Sequence, residues 1–146
     1  MPGAADSERL LTDEGRYEVR RVISAAKLSG ARASLVLSSP YKRALQTAGL
    51  AKDLLDCEAA VLSCNALVPD GSPQAVWEEI RVHHDEASLL LAGHEPLLSA
   101  LTAYLLGCPD LEVNIPTAGL VRVDVDALAS QPRGILLWML TPALTQ

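Results

Sequence analysis

A strand that runs directly into a helix decides the fold, and it has the sequence ASLVLSSPYKRALQTA at residues 33–48. Residues 33–38 form a short, nearly continuous apolar run, which is typical of a strand buried on both faces in a parallel sheet. Pro40 follows that run, and apolar residues then recur at helical spacing from Ala44 to Leu55. The stretch therefore predicts one strand–helix unit of an α/β domain.

The same alternation of helix and strand extends in both directions from this stretch. Thr12 is a good N-cap for a helix over Asp13–Leu28, where Asp13 and Glu14 complement the helix dipole. Further predictions are a short strand at 60–62, a helix at 74–83, a buried strand at 88–92, a helix from Pro96 to about Leu106, and strands at 119–125 and 135–140 that pair as a hairpin. The predicted fold class is α/β, a three-layer α/β/α domain with a mainly parallel sheet, in one domain over residues 1–146.

Composition excludes several classes of function. Of the 146 residues, 49% are apolar but only 3% are aromatic, which argues against a nucleic-acid platform built on stacking rings. The net charge is −6, so no broad basic surface is expected and no nucleic-acid partner is predicted. The apolar runs are too short to span a membrane, and no membrane partner is predicted. Cys57, Cys64 and Cys108 follow no disulfide or zinc pattern, which indicates free thiols in a cytoplasmic protein.

Two junctions between a strand and a helix carry the candidate site. Arg43 follows the first buried strand, and His94 follows the second one in the turn Gly93–Glu95. Ligands of open α/β sheets bind beyond the carboxyl ends of the strands, where helix N-termini also favour anions. An arginine can fork onto two phosphate oxygens, and a histidine can donate a hydrogen bond or move a proton. The alternatives are a solvated first-turn arginine and a structural loop histidine.

Residues 39–48, SPYKRALQTA, resemble the S-P-x-x-R-A-x-Q-T-A motif of the histidine phosphatase superfamily. Residues 11–15, LTDEG, resemble its L-T-x-x-G helix start, and residues 91–96, LAGHEP, resemble its V-G-H-x-P segment. The short chain and its C-terminal WMLTP at 138–142 are similar to the small SixA-type phosphohistidine phosphatases. The four matches keep their order, and the resemblance spans about residues 4 to 142, which implies a phosphoglycerate mutase-like fold.

The resemblance implies a phosphohydrolase that needs neither a metal nor a cofactor. In this family a first histidine attacks phosphorus, while two arginines and a second histidine hold the phosphoryl oxygens. By position, Arg43 is one arginine and His94 is the second histidine, both assigned as catalytic. Ser39 is expected to shape the loop, and Lys42 to add positive field at the pocket mouth. The implied partner is a phosphohistidine-bearing protein or a small phosphomonoester.

One part of the family pattern has no counterpart in the sequence. The family carries R-H-G at the end of a first strand, shortly before L-T-x-x-G, whereas the ten residues before Leu11 contain no histidine. Gly3 stands near the glycine of that motif, and Arg9 is the only arginine there. We therefore expect the first strand, its arginine and its nucleophile to be missing, which predicts lower stability, a monomer or weak dimer, and catalysis near background. His83 and His84 lie at the wrong end of a helix to substitute.

Three functional hypotheses follow. In the first, the natural protein starts further upstream and is a phosphohistidine phosphatase. In the second, the chain is a non-catalytic pseudophosphatase that still binds phosphate or a phosphoprotein through Arg43 and His94. In the third, it is a decayed domain without a ligand.

Overall fold

The computed structural model describes residues 5–146, and its helices and strands alternate along the chain. Four α-helices and five β-strands follow in the order α1 Asp13–Leu28, β1 Leu35–Ser38, α2 Lys42–Leu54, β2 Leu62–Ser63, α3 Pro73–Val82, β3 Leu89–Ala92, α4 Leu97–Leu105, β4 Leu120–Asp124 and β5 Ile135–Leu140. Single 3-10 turns lie at Asp6–Glu8, Asn65–Leu67 and Pro142–Thr145.

The strands form two separate hydrogen-bonded groups. A parallel sheet has the order β2-β1-β3, and β4 pairs with β5 as an antiparallel hairpin. In the parallel sheet Ser38 lies opposite Ala92, so β1 and β3 end side by side. This register sets the position of everything that follows the two strands.

Helices cover both faces of the parallel sheet, as the alternation of side chains requires. On one face Leu35 and Leu37 of β1 pack in a cluster with Val76 of α3 and Leu101 of α4. On the opposite face Val36 packs with Ala48 of α2. Helix α1 lies beside α2, where Val19, Ile23 and Ala51 form a third cluster. The small alanines of α2 let that helix approach the sheet closely.

Local signals set the helix ends. The Thr12 hydroxyl accepts a hydrogen bond from the amide of Gly15 at 3.0 Å, and Ser72 accepts one from Ala75 at 3.2 Å. Such side-chain caps satisfy amide groups that the first helical turn leaves without a partner. Gly30 follows α1 with a positive φ of 90°, a conformation that costs glycine little.

The structure confirms the predicted three-layer α/β/α fold and the predicted order of elements. The strand expected at 60–62 lies at Leu62–Ser63, and the strand expected at 88–92 is only partly buried, with just Ala92 fully enclosed. Burial is incomplete because β3 has a neighbouring strand on one side alone within residues 5–146. In that same range no strand precedes α1, whereas the expectation about Gly3 lies outside the described residues. No helix in the described part of the chain is long and apolar enough to cross a membrane.

Candidate functional site

The matched ends of β1 and β3 bring two predicted site residues into contact. Ser39 follows β1 and is fully buried, and His94 follows β3 after one intervening glycine. The His94 Nε2 atom lies 2.8 Å from the Ser39 hydroxyl oxygen. That oxygen also accepts a hydrogen bond from the Tyr41 amide at 3.2 Å. Ser39 therefore holds both the loop that leads into α2 and the imidazole ring.

Arg43 lies in the first turn of α2 and presents its guanidinium group beside the same ring. Its Nη2 atom is 3.3 Å from His94 Nδ1. The two Nη atoms also fork onto the Asp6 carboxylate at 3.2 and 3.1 Å, and Nη1 donates to the Asp6 carbonyl at 2.8 Å. A guanidinium group takes two oxygens of a phosphoryl group in the same bidentate arrangement. The Asp6 carboxylate thus shows how this arginine holds an anion.

The hydrogen bonds of His94 fix the position of its proton. A guanidinium group can only donate, so Nδ1 accepts from Arg43 and the proton resides on Nε2, which donates to Ser39. Burial lowers the pKa of His94 below its ordinary value of 6.5, and the positive charge of Arg43 lowers it further. The Asp6 carboxylate opposes these two effects but does not outweigh them. His94 is therefore neutral at pH 7.

Asp6 is held in its charged form by the same contacts. The hydrogen bonds from Arg43 lower the pKa of this carboxyl group below its ordinary value, and the charges of Arg43 and Arg9 act in the same direction. Asp6 is exposed, so its attachment to Arg43 is accessible to solvent. An exposed ion pair of this kind contributes little to stability, and a stronger anion can displace it.

An aromatic ring packs beside both His94 and Arg43. The ring of Tyr41 is tilted against that of His94 with centroids 4.9 Å apart, and the Arg43 guanidinium lies 5.4 Å from the tyrosine centroid. Arg43, His94 and Glu95 line a cavity of about 500 Å³ that extends inward from the ends of the strands. This volume falls in the range of small-molecule sites.

The remaining predicted site residue, Lys42, is placed differently. Its ammonium group forms an ion pair with Glu8 at 2.5 Å and does not line the cavity that contains Arg43 and His94. Lys42 can therefore act on an anion in the cavity only through long-range electrostatic attraction. Glu95 caps α4 by accepting from the amide and the hydroxyl of Ser99, so a carboxylate already meets that helix N-terminus.

Two other matched segments meet beside the site. The Gln46 side-chain oxygen accepts a hydrogen bond from the Leu11 amide at 2.8 Å, which attaches the segment before α1 to α2. Gly15 also lines the cavity, and a Cβ atom there would lie 3.3 Å from the Thr12 hydroxyl oxygen and 3.4 Å from the Leu11 side chain. These residues of the recognised motifs therefore position the backbone around the pocket.

Sequence reasoning missed Asp6 and Tyr41 as members of the site. No local signal marks Asp6, because its contact with Arg43 joins residues 37 positions apart. Tyr41 stands at a variable position of the motif, and only the three-dimensional arrangement puts its ring on His94. The other two histidines lie elsewhere: His83 caps α3, and exposed His84 pairs with Asp85. Within residues 5–146 no cluster of three metal-ligating side chains occurs.

The chain is similar to known phosphatases over nearly its whole length. The histidine phosphatase superfamily (branch 1) matches residues 1–64. The phosphohistidine phosphatase SixA of Escherichia coli (strain K12) is 29% identical over 145 residues, which cover 97% of this chain and 87% of that protein.

Solved structures show the same likeness. A protein histidine phosphatase SixA complexed with tungstate has a TM-score of 0.86 and 28% identity, over 98% of this chain and 90% of that one. A chain named SixA from Agrobacterium tumefaciens has a TM-score of 0.78 at 21% identity, over 97% of this chain and 89% of that one, which supports the fold alone.

Proposed function

We propose that the chain is a phosphohistidine phosphatase of the SixA type, within the histidine phosphatase superfamily, and that Arg43 and His94 form its phosphoryl pocket. The observation that carries the proposal is the bidentate grip of Arg43 on the Asp6 carboxylate, with the neutral His94 ring directly behind it. A phosphoryl group offers the guanidinium the same pair of oxygens with more negative charge.

The substrate we favour is a phosphohistidine on the surface of a protein. The guanidinium group of Arg43 is partly exposed, and the Asp6 carboxylate that faces it is half-exposed. A phosphoryl group that projects from another protein can therefore approach from solvent and replace Asp6. The name of the homologous SixA phosphatase supports this substrate class over a small phosphomonoester.

His94 has a defined part in this proposal. Its Nε2 proton is engaged by buried Ser39, so the ring is fixed in one orientation. Its Nδ1 atom is directed toward Arg43, and it can donate to a phosphoryl oxygen once it has taken up a proton, which the negative charge of the phosphoryl group favours. Ser39 is thus a positioning residue, whereas Arg43 and His94 are the groups that touch the substrate.

Covalent phosphoryl transfer also needs a nucleophile, and the 146 residues include only three histidines. His94 has its Nδ1 lone pair turned to Arg43, while His83 and His84 lie at the end of α3. We therefore propose that these 146 residues bind the phosphoryl group but turn it over weakly or not at all. The same observation favours a second candidate function, a phosphoprotein-binding module without catalysis.

Two assays distinguish these functions. A histidine-containing protein phosphorylated with phosphoramidate is incubated with the chain, and loss of the phosphohistidine signal is followed by ³¹P NMR. Binding of tungstate is followed in parallel by calorimetry. The binding module predicts tungstate binding with hydrolysis at the rate of buffer alone, whereas the phosphatase predicts hydrolysis above that rate.

The controls are two arginine variants. Arg43→Ala removes the guanidinium group that binds two anion oxygens, and it is expected to abolish tungstate binding together with any hydrolysis. Arg20→Ala removes an exposed arginine from α1 and is expected to change neither. A folded wild-type chain that neither binds tungstate nor hydrolyses phosphohistidine contradicts both functions.

The cellular setting we propose is the cytoplasm. Cys57 and Cys64 are buried free thiols and Cys108 is an exposed one, a combination that suits a reducing compartment. For the assembly we propose a monomer or a weak dimer.

A further inference from the structure

A second arginine, Arg9, meets Arg43 at the carboxylate of Asp6. The Asp6 Oδ1 atom accepts a hydrogen bond from Arg9 Nη1 at 3.3 Å and another from Arg43 Nη1 at 3.2 Å. The other oxygen, Oδ2, accepts from Arg43 Nη2 at 3.1 Å. One carboxylate group is therefore held between two guanidinium groups, and its position is a place where two positive charges converge.

Contacts with residues other than Asp6 also hold the guanidinium group of Arg43. Its Nη2 atom lies 3.3 Å from His94 Nδ1, and its central carbon lies 5.4 Å from the centre of the Tyr41 ring. A guanidinium group at this distance from an aromatic face is attracted to it. Arg43 can therefore keep its place when the Asp6 carboxylate leaves.

The backbone that carries Arg9 is attached to helix α2. The Asp6 carbonyl accepts a hydrogen bond from Arg43 Nη1 at 2.8 Å, and the Arg9 amide donates to the same carbonyl at 3.2 Å. Between these two residues, the Glu8 carboxylate forms an ion pair with Lys42. These contacts use backbone groups and Glu8, so they do not require the Asp6 carboxylate. Arg9 is thus kept beside Arg43 independently of that carboxylate.

The Asp6 side chain is the movable part of this arrangement. It is half-exposed, and rotation about its Cα–Cβ bond carries the carboxylate into solvent without moving the backbone. Its ion pairs with Arg43 and Arg9 are exposed and contribute little to stability. An anion with more charge can therefore take the place of the carboxylate and find both guanidinium groups there.

Two other carboxylates lie near this place, and each has partners of its own. Glu95 lines the cavity, but its oxygens accept hydrogen bonds from the hydroxyl and the amide of Ser99 at 2.8 and 3.1 Å. The partial positive charge of the α4 N-terminus further offsets the charge of Glu95. Glu8 is paired with Lys42. Asp6 is thus the carboxylate that competes directly for the two arginines.

We propose that Arg9 is a second anion-binding residue of the phosphoryl pocket, and that Arg9 and Arg43 together select a doubly charged tetrahedral anion whose place Asp6 takes in the free chain. The proposal rests on the phosphoryl pocket proposed above and adds a residue outside the four matched motifs. A phosphoryl group carries a charge of about −1.5 to −2 near pH 7, which two guanidinium groups balance better than one. A single carboxylate carries less charge and is therefore displaced.

The test compares tungstate with perrhenate, a tetrahedral oxyanion of similar size that carries one negative charge instead of two. Calorimetric titrations use the whole chain with Asp6→Asn, so that no carboxylate charge competes for the arginines. In this background Arg9→Ala is expected to weaken tungstate binding about five- to tenfold and perrhenate binding by at most about twofold. An arginine that only pairs with Asp6 gives no change for either anion, because Asp6→Asn has already removed the charge it pairs with.

Two matched variants and one direct measurement serve as controls. Arg9→Lys keeps the positive charge and is expected to hold tungstate binding within about threefold, whereas Arg20→Ala, at an exposed arginine of α1, is expected to leave it unchanged. The Arg9 side chain is 70% exposed, so Tm is expected to stay within about 2 °C in every variant. In the unsubstituted chain, the Arg9 Nε–H signal is expected to shift saturably with tungstate in NMR spectra.

The possible failures of this proposal and of the phosphoryl pocket are distinguishable. Unchanged tungstate binding in Arg9→Ala, together with binding that Arg43→Ala still abolishes, overturns the role of Arg9 and leaves the pocket in place. An Arg9 signal that does not respond to tungstate overturns the role of Arg9 without any substitution. Equal losses for tungstate and perrhenate contradict selection by charge. A folded unsubstituted chain that binds neither anion contradicts the pocket itself and this proposal with it.

Discussion

Strands β1 and β3 are neighbours of equal length, and β1 leads to Ser39 and Arg43 whereas β3 leads to His94, yet the surroundings of the two strands differ. β1 lies between two strands and two helical layers, and all four of its residues are buried. β3 has helices above and below but pairs with β1 alone among the strands of residues 5–146, and its three leucines are partly buried. Ser39 and Arg43 therefore follow a strand that is enclosed on both faces and both edges. His94 follows a strand that is enclosed on both faces but on one edge only within residues 5–146.

The contacts among Ser39, Arg43 and His94 form although β3 is only partly buried. His94 is held in place by the Ser39 hydroxyl and the Arg43 guanidinium, both of which follow β1. The missing neighbour of β3 within residues 5–146 therefore does not prevent these contacts. We expect the partial burial of β3 to lower the stability of that strand instead.

The largest expected effect is on folding, and it distinguishes the two strands directly. Leu37 of β1 and Leu91 of β3 belong to the same cluster with α3 and α4, but Leu37 is fully buried and Leu91 is partly exposed. We expect Leu37→Ala to lower the free energy of unfolding by about 3 kcal/mol, and Leu91→Ala by about half as much. Urea denaturation of both variants measures the difference, and equal losses contradict the asymmetry.

The second effect concerns the bidentate contact of Arg43, which follows β1, with an anion. Asp6→Asn removes the carboxylate charge that competes for Arg43, so tungstate binding is expected to tighten about three- to fivefold, corresponding to about 1 kcal/mol. Calorimetric titration gives this ratio. Glu8→Gln is the matched control, because Glu8 pairs with Lys42 instead. Weaker binding in Asp6→Asn means that Asp6 helps to build the pocket.

A third effect concerns the histidine that follows β3. The folded state lowers the pKa of His94 below 6.5, so below that pH the unfolded chain binds more protons than the folded one. The contribution of His94 to stability is complete above pH 6.5 and is lost as the pH falls from 6.5 through the lower pKa of the folded state.

Urea midpoints measured between pH 7 and pH 5 test this dependence. We expect His94→Asn to flatten the pH dependence in this window, while the matched variant His84→Asn, at an exposed histidine, leaves it in place. Identical slopes for His94→Asn and the wild type contradict the assignment of a neutral, buried His94.

The smallest effect is expected at Lys42. Its ammonium group pairs with Glu8 outside the cavity lining, so Lys42→Ala is expected to weaken tungstate binding by less than about twofold. The same calorimetric titration measures it. A loss as large as that of Arg43→Ala would place Lys42 in direct contact with the anion.

Much of the fold could be predicted from the sequence because its signals are local. The apolar run before Ser39, the cap at Thr12 and the helical spacing of the alanines in α2 each depend on neighbours within a few positions. The partial burial of β3 could not be predicted from such local signals. Its leucines have the composition of an enclosed strand, but their exposure depends on what lies along the β3 edge.

The contacts of the candidate site can likewise be separated into those that local sequence signals predict and those that they do not. The proximity of Arg43 and His94 could be predicted because each follows a recognisable strand, and strand ends of a parallel sheet lie together. The contacts of Asp6 with Arg43 and of Tyr41 with His94 depend on loop geometry that no periodic pattern encodes. The separation of Lys42 from the pocket likewise depends on Glu8, a partner that is distant in sequence.

The most direct test of the central claim is an NMR titration of the labelled chain with tungstate. The account predicts that the Arg43 Nε–H and His94 ring signals shift together and saturably, that Asp6 is released, and that Arg43→Ala abolishes the shifts while Arg20→Ala preserves them. Tungstate shifts confined to other residues, or unchanged in Arg43→Ala, would contradict the assignment of Arg43 and His94 as the phosphoryl pocket.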